Sequence, residues 1–93
     1  MIMLHKLKTT KCYFDAIDEG LKTFEIRYND DRGFQKGDVV CLEELSDNGG
    51  YRTGNKIFLT ITYVTAFKQR EGWVVFGFEK GTEEEQKLLR GIV

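Results

Sequence analysis

Four residues in one short stretch have the types and spacing for ligand chemistry: Lys22, Thr23, Glu25 and Arg27, within Gly20-Leu-Lys-Thr-Phe-Glu-Ile-Arg27. From Thr23 onward polar and apolar residues alternate with the period of a strand. Phe24 and Ile26 therefore share one side, and Thr23, Glu25 and Arg27 share the other at intervals of about 6.7 Å. A hydroxyl, a carboxylate and a guanidinium on one face, with Lys22 leaning over them from the preceding junction, can converge on a single polar ligand. Lys22, beside a carboxylate, is suited to neutralise a phosphate, polarise a carbonyl or steady an oxyanion, and unsuited to act as base or nucleophile. Arg27 can make a two-pronged contact to a phosphate or a base edge. Glu25 is the member fit for proton chemistry, as a water-activating base; without hydrolysis it accepts from a base amino group. The same residues also fit the solvent face of a half-buried strand with a weak Glu–Arg pair.

The elements that must hold this stretch follow from periodicity and turn chemistry. Met1 to Lys8 reads as a first strand. Thr9 or Thr10 can N-cap a helix over about residues 10–19, with Phe14, Ile17 and Leu21 at i, i+3 and i+7 facing the core and Gly20 as its left-handed terminator. The strand Thr23 to Tyr28 has Phe24, Ile26 and Tyr28 as its apolar side. Asn29-Asp30-Asp31-Arg32-Gly33 is a polar turn cluster, Phe34 plugs back toward the core, and Lys36-Gly37-Asp38 turns into Val39–Leu42. That run is apolar at both parities, the mark of an interior strand. Asp47-Asn48-Gly49-Gly50 and Thr53-Gly54-Asn55 predict a long hairpin loop with a short pairing around Tyr51. Ile57 to Phe67 and Trp73 to Phe78 are the last strands, with Gly77 as a bulge or bend. Thr82 and Glu85 form a capping box for a short C-terminal helix carrying Leu88 and Leu89. The sum is an α+β domain of about five short strands, with a helix after the first strand and another at the end, closed or half-closed into a barrel that hides its sheet edges.

Composition sets the outer bounds. A chain of 93 residues, 41% hydrophobic and 13% aromatic, supports one packed domain with one modest core. Fourteen basic and fifteen acidic side chains leave a net charge of −1, which by itself points to neither nucleic acid nor an anionic membrane. Residues 1–13 carry Lys6, Lys8 and Lys11 without an acid, whereas 29–47 are predominantly acidic. No apolar run approaches the roughly 18 residues of a membrane span, and the start lacks a charged-then-apolar signal pattern. Cys12 and Cys41 have no metal-ligand spacing, so a cytoplasmic protein with reduced, buried thiols is expected. His5, the single histidine, reads as structural, and no metal or cofactor is implied.

The spacing Gly20-x-Lys22-x-x-Glu25-x-Arg27 resembles the signature of the ASCH domain, a group of PUA-like β-barrels. More of the chain is similar to a small bacterial and phage subfamily. His5-x-Leu7-Lys8 and Tyr13-Phe14-x-Ala16-Ile17 precede the signature; Asn29-Asp30, Arg32, Phe34-x-x-Gly37-Asp38, Thr53-Gly54, Ile61-Thr62-Tyr63-Val64 and Gly72-Trp73-Val74 follow it. The likeness runs from about residue 5 to 79. It implies a single PUA-like barrel domain over residues 1–93, with the signature residues projecting into a cleft that takes RNA or nucleotide-like ligands.

On this resemblance Lys22, Thr23, Glu25 and Arg27 are ligand-binding, Lys8 touches a phosphate near the cleft mouth, and Trp73 or Tyr63 stacks on a base. Some small ASCH proteins are amidohydrolases that deacetylate N4-acetylcytidine with a lysine, a threonine and a glutamate. Lys22 matches that lysine and Arg27 a basic residue of the motif, which makes Lys22 and Glu25 the catalytic candidates if the chain is an enzyme. The hydrolase threonine falls on Glu25, and its glutamate lies in a region replaced here by the short Phe67–Gly72 link, where Glu71 is the nearest carboxylate.

Overall fold

The computed structural model describes residues 2–29, 32–48 and 50–93. Met1 of the expected first strand, and Asp30, Asp31 and Gly49 of the expected turn clusters, lie outside the described residues. The elements are β1 (Leu4–Thr10), α1 (Lys11–Asp18), β2 (Phe24–Tyr28), β3 (Val39–Leu45), β4 (Arg52–Thr65), β5 (Trp73–Lys80) and α2 (Glu83–Ile92). The five strands make one curled sheet in the order β1-β3-β4-β5-β2, with β1 parallel to β3 and the other neighbours antiparallel. The fold is thus an α+β half-barrel with a helix after the first strand and one at the C-terminal end, and β1 and β2 are the two edges of its open seam.

Burial explains the order. Val40, Cys41 and Leu42 are fully buried at both parities, so β3 lies between two paired neighbours. The inward residues Leu7, Val40, Leu42, Ile57, Leu59, Ile61, Val74, Phe76 and Phe78 meet Phe14 and Ile17 of α1, and Phe34 closes the cluster from the β2–β3 connection. At the far end Gln86 of α2 donates to the Phe58 carbonyl and accepts from the Phe58 N–H, both at 2.8 Å, continuing the ladder past the end of β5. The Thr82–Glu85 capping box forms as expected, and both partners of the box are exposed.

Gly20 ends α1 in the left-handed region, at φ +80°. The N–H of Gly20 reaches the Ile17 carbonyl at 3.1 Å and that of Leu21 the Ala16 carbonyl at 2.9 Å, the two bonds of a Schellman motif. The Lys22 N–H shares the Ala16 carbonyl at 3.0 Å. Gly20 therefore does more than stop the helix: it fixes where Lys22 emerges. The same reversal takes Leu21 out of helical phase, so Leu21 is exposed and the core stripe of α1 is Phe14 and Ile17 alone. Thr10 occupies the N-cap position through its backbone, with no side-chain capping bond.

Three other expectations are corrected. Thr53-Gly54-Asn55 is no loop: it lies inside the 14-residue strand β4, where the register of β3 and β4 shifts between Glu43 and Leu45. The buried carboxylate of Glu44 accepts from Thr53 Oγ1 at 2.6 Å and Asn55 Nδ2 at 2.9 Å, which turns these turn-formers into strand residues while Gly54 absorbs the kink at φ +95°. The second irregularity lies on β4 between Ile61 and Tyr63, opposite Gly77, rather than on Gly77 itself. Cys12 is exposed on α1, whereas Cys41 is buried and its thiol is pushed up by that burial. Among the described residues no helix is long and apolar enough to cross a membrane.

Candidate functional site

Which way β2 faces is decided by its partner. Glu25 lies opposite Phe76 and Arg27 opposite Val74, and directly opposed residues share a sheet face. Phe76 and Val74 are core, so Glu25 and Arg27 point inward and the apolar side of β2 points out. Phe24, Ile26 and Tyr28 are each about half exposed, whereas Glu25 is only 4% exposed. A carboxylate inside the curl would be costly alone. It is neutralised locally: Lys22 Nζ donates to Glu25 Oε1 at 2.7 Å and Arg27 Nε to Oε2 at 3.0 Å. The Lys22 ammonium also stands over the Tyr13 ring, 4.5 Å from its centroid, and 5.7 Å from that of Phe24.

Two arginines bridge the open seam. Arg27 Nη2 donates to the Lys8 carbonyl at 2.9 Å and Arg32 Nη1 to the Lys6 carbonyl at 3.3 Å, so the edge of β1 is tied to β2 and the following connection by side chains rather than by a ladder. Along this seam runs a cleft of about 710 Å³ lined by β1 (Leu7, Thr9), α1 (Tyr13), Lys22, all five residues of β2, and Arg32, Phe34 and Trp73. Among the described residues its lining holds three cations and one carboxylate, set among aromatic rings. Trp73 and Tyr28 form an edge-on pair at the rim, with centroids 5.7 Å apart.

Of the residues expected from sequence, Lys22, Glu25, Arg27 and Trp73 come together in this cleft. Thr23 does not: it is exposed and off the lining, and its carbonyl accepts from Phe78 N–H at 3.1 Å to set the register of β2. Lys8 contributes its carbonyl, while its side chain points outward from β1. Tyr63 and Glu71 are exposed and also lie off the lining. The aromatic wall of Tyr13, Phe24 and Tyr28, and the role of Arg32, are additions from the structure. For Phe24 and Tyr28 the signal in the sequence was the parity of β2, whose outward side alternation alone leaves open.

Behind the cleft, His5 Nε2 and Asp38 Oδ2 lie 2.8 Å apart, both buried, and Asp38 also accepts from the N–H groups of Met3 and Gln35 at 3.1 Å each. Burial pushes the Asp38 carboxyl upward, but the bonds from His5, Met3 and Gln35 outweigh it and hold the group below its ordinary value. The His5 ring packs on Phe34 at 4.7 Å. His5 is therefore structural, and among the described residues no group of three or more His, Cys, Asp or Glu side chains is placed to hold a metal ion.

Residues 4–78, from the start of β1 into β5, match the family model described as "Domain of unknown function (DUF3850)". The chain belongs to this family. The matched span contains every described residue lining the cleft, and α2 lies beyond it. A protein of Escherichia phage P2, described as an uncharacterized 12.9 kDa protein in the GpA 3' region, is 38% identical over 65 residues. That covers 70% of this chain and 57% of the phage protein, so the chain spans little more than half the length of this relative.

A glycine, Gly72, backs the Tyr28 ring at the rim of the cleft. Gly72 sits at φ +85°, and a Cβ there would fall 2.5 Å from Tyr28 Cε1. Gly72→Ala is expected to cost about 2 kcal/mol through left-handed strain and to push the Tyr28 ring off Trp73. Thermal melts and the Trp73 emission spectrum check both parts; an unchanged spectrum with wild-type stability contradicts the account.

Proposed function

We propose that this chain is a nucleotide- or RNA-binding domain of ASCH type, with the seam cleft as its site. The observation that carries the reading is the placing of Lys22 and Arg27 on the Glu25 carboxylate, with Arg32 on the same lining, within a wall of Tyr13, Phe24, Tyr28 and Trp73. Cations suit phosphate and aromatic faces suit a base. Among the described residues, the bonds to Glu25 and to β1 use only part of the N–H groups of each cation. Hydrolysis of an acylated nucleobase such as N4-acetylcytidine would need Glu25 to take a proton from water. Both of its oxygens already accept from cations, which favours binding over chemistry.

Trp73 is the single tryptophan and lies in the cleft, so its fluorescence reports occupancy directly. Titration with AMP, CMP, UMP and short RNAs is expected to quench it, with nucleotides binding better than the matching nucleosides. Exchanging Lys22→Met, Glu25→Gln and Arg27→Met together removes the charged set without stranding a buried ion. This variant is expected to stay folded and to lose at least tenfold in nucleotide affinity. Binding equal to wild type would sink the reading.

A further inference from the structure

The two carbonyls that anchor the seam arginines, Lys6 and Lys8, are two residues apart on β1, so Arg27 and Arg32 are tethered to points about 6.6 Å apart along the cleft. That repeat is comparable to the spacing of successive phosphates in an extended single strand. Phe24, Ile26 and Tyr28 recur with the same strand repeat on the opposite, exposed side of β2; β2 is an edge strand, so they line the same cleft as Arg27, and Trp73 stands edge-on to Tyr28. A cation at each phosphate step and an apolar or aromatic face at each base step are what a single-stranded ligand requires. Resting on the nucleotide-binding reading, we infer that the seam takes an extended single-stranded segment of two or more nucleotides. Consecutive phosphates lie on Arg27 and Arg32, and successive unpaired bases lie over Phe24, over Ile26 and over the Tyr28–Trp73 pair.

Two alternatives fit less well. A duplex keeps its bases stacked and turned inward, where exposed rings on β2 cannot reach them. An extended acidic peptide matches the strand repeat and the charge, but offers the aromatic faces no planar partner.

A length series separates these cases. The full chain is titrated with AMP, the adenylate dinucleotide, tetramer and octamer, a duplex octamer and a hexaglutamate peptide, following Trp73 fluorescence across a range of salt. Affinity is expected to rise at least tenfold from AMP to the tetramer and then level off, with the duplex at least tenfold weaker than the single strand. Arg32→Gln is expected to lower the slope of log affinity against log salt by about 0.7, the value of one single-strand phosphate contact. Phe24→Ser, at an exposed position, is expected to remove most of the gain with length. AMP binding as tightly as the tetramer, duplex matching single strand, or hexaglutamate competing at equal concentration overturns this inference and leaves the nucleotide reading standing. Failure of AMP and every oligomer to bind overturns both.

Discussion

Replacing Glu25 with glutamine is expected to lower the melting temperature by about 10 °C, from a loss of about 2 kcal/mol in a chain of this size, while leaving nucleotide affinity undiminished. Glu25 is buried and accepts one charge-assisted bond on each oxygen. Glutamine keeps the shape but turns an amide N–H₂ toward one of the two cations. The loss stays well below that of a fully buried broken ion pair, because the Lys22 and Arg27 side chains are 21% and 26% exposed and keep part of their hydration. Lys22 also retains the Tyr13 and Phe24 rings beneath its ammonium. Affinity is preserved because Glu25 organises the cations, each of its oxygens already holding one of them; removing its charge makes the cleft more positive. A tenfold loss of affinity in Glu25→Gln, measured below its melting range, would show that the carboxylate contacts the ligand itself. Release of cytidine from N4-acetylcytidine by wild type, abolished in the same variant, would move the site from binding to hydrolysis.

How far the site could be read from sequence depends on which kind of constraint set each residue. The Schellman turn was legible because a glycine after a Phe14/Ile17 stripe has one common role, and the interior position of β3 because apolar residues at both parities exclude a solvent face. The pairing of Glu25 with Lys22 and Arg27 was legible from spacing alone. The outward turn of Phe24, Ile26 and Tyr28 was not, because strand alternation names two faces without saying which is inside. That choice was made on a strand far along the chain, by the burial of Val74 and Phe76 on β5. Thr53-Gly54-Asn55 misled for a similar reason: their turn chemistry is overridden by Glu44, whose buried carboxylate needs both partners. Arg32 gains its place through a backbone carbonyl of β1, and such a contact leaves no mark in residue types.

Asp38→Ala is expected to destabilise the fold by about 3 kcal/mol, enough to lower the melting temperature by roughly 12–20 °C. Asp38 is 2% exposed and its side chain gathers three donors: His5 Nε2 at 2.8 Å and the N–H groups of Met3 and Gln35 at 3.1 Å. Removing it strands two backbone N–H groups and frees the His5 ring from its partner. Asp38→Asn is expected to cost less, because its oxygen still serves Met3 while its amide can donate to His5 in the other ring tautomer. The pH dependence has a fixed sign. A carboxyl held below its ordinary value of 3.8 in the folded state adds stability that is present above that value and is lost as the pH falls through the lower folded value. Wild type should therefore lose stability below about pH 4, and both variants should show a shallower decline over that interval, measured by urea denaturation at stepped pH. An acid decline as steep in Asp38→Asn as in wild type would assign it to other carboxylates. The consequence reaches the cleft, because His5 packs on Phe34 and Phe34 lines the seam. In Asp38→Ala the floor of the cleft loosens while Lys22, Glu25 and Arg27 keep their mutual bonds, so ligand affinity should fall by less than in the variant that neutralises those three residues.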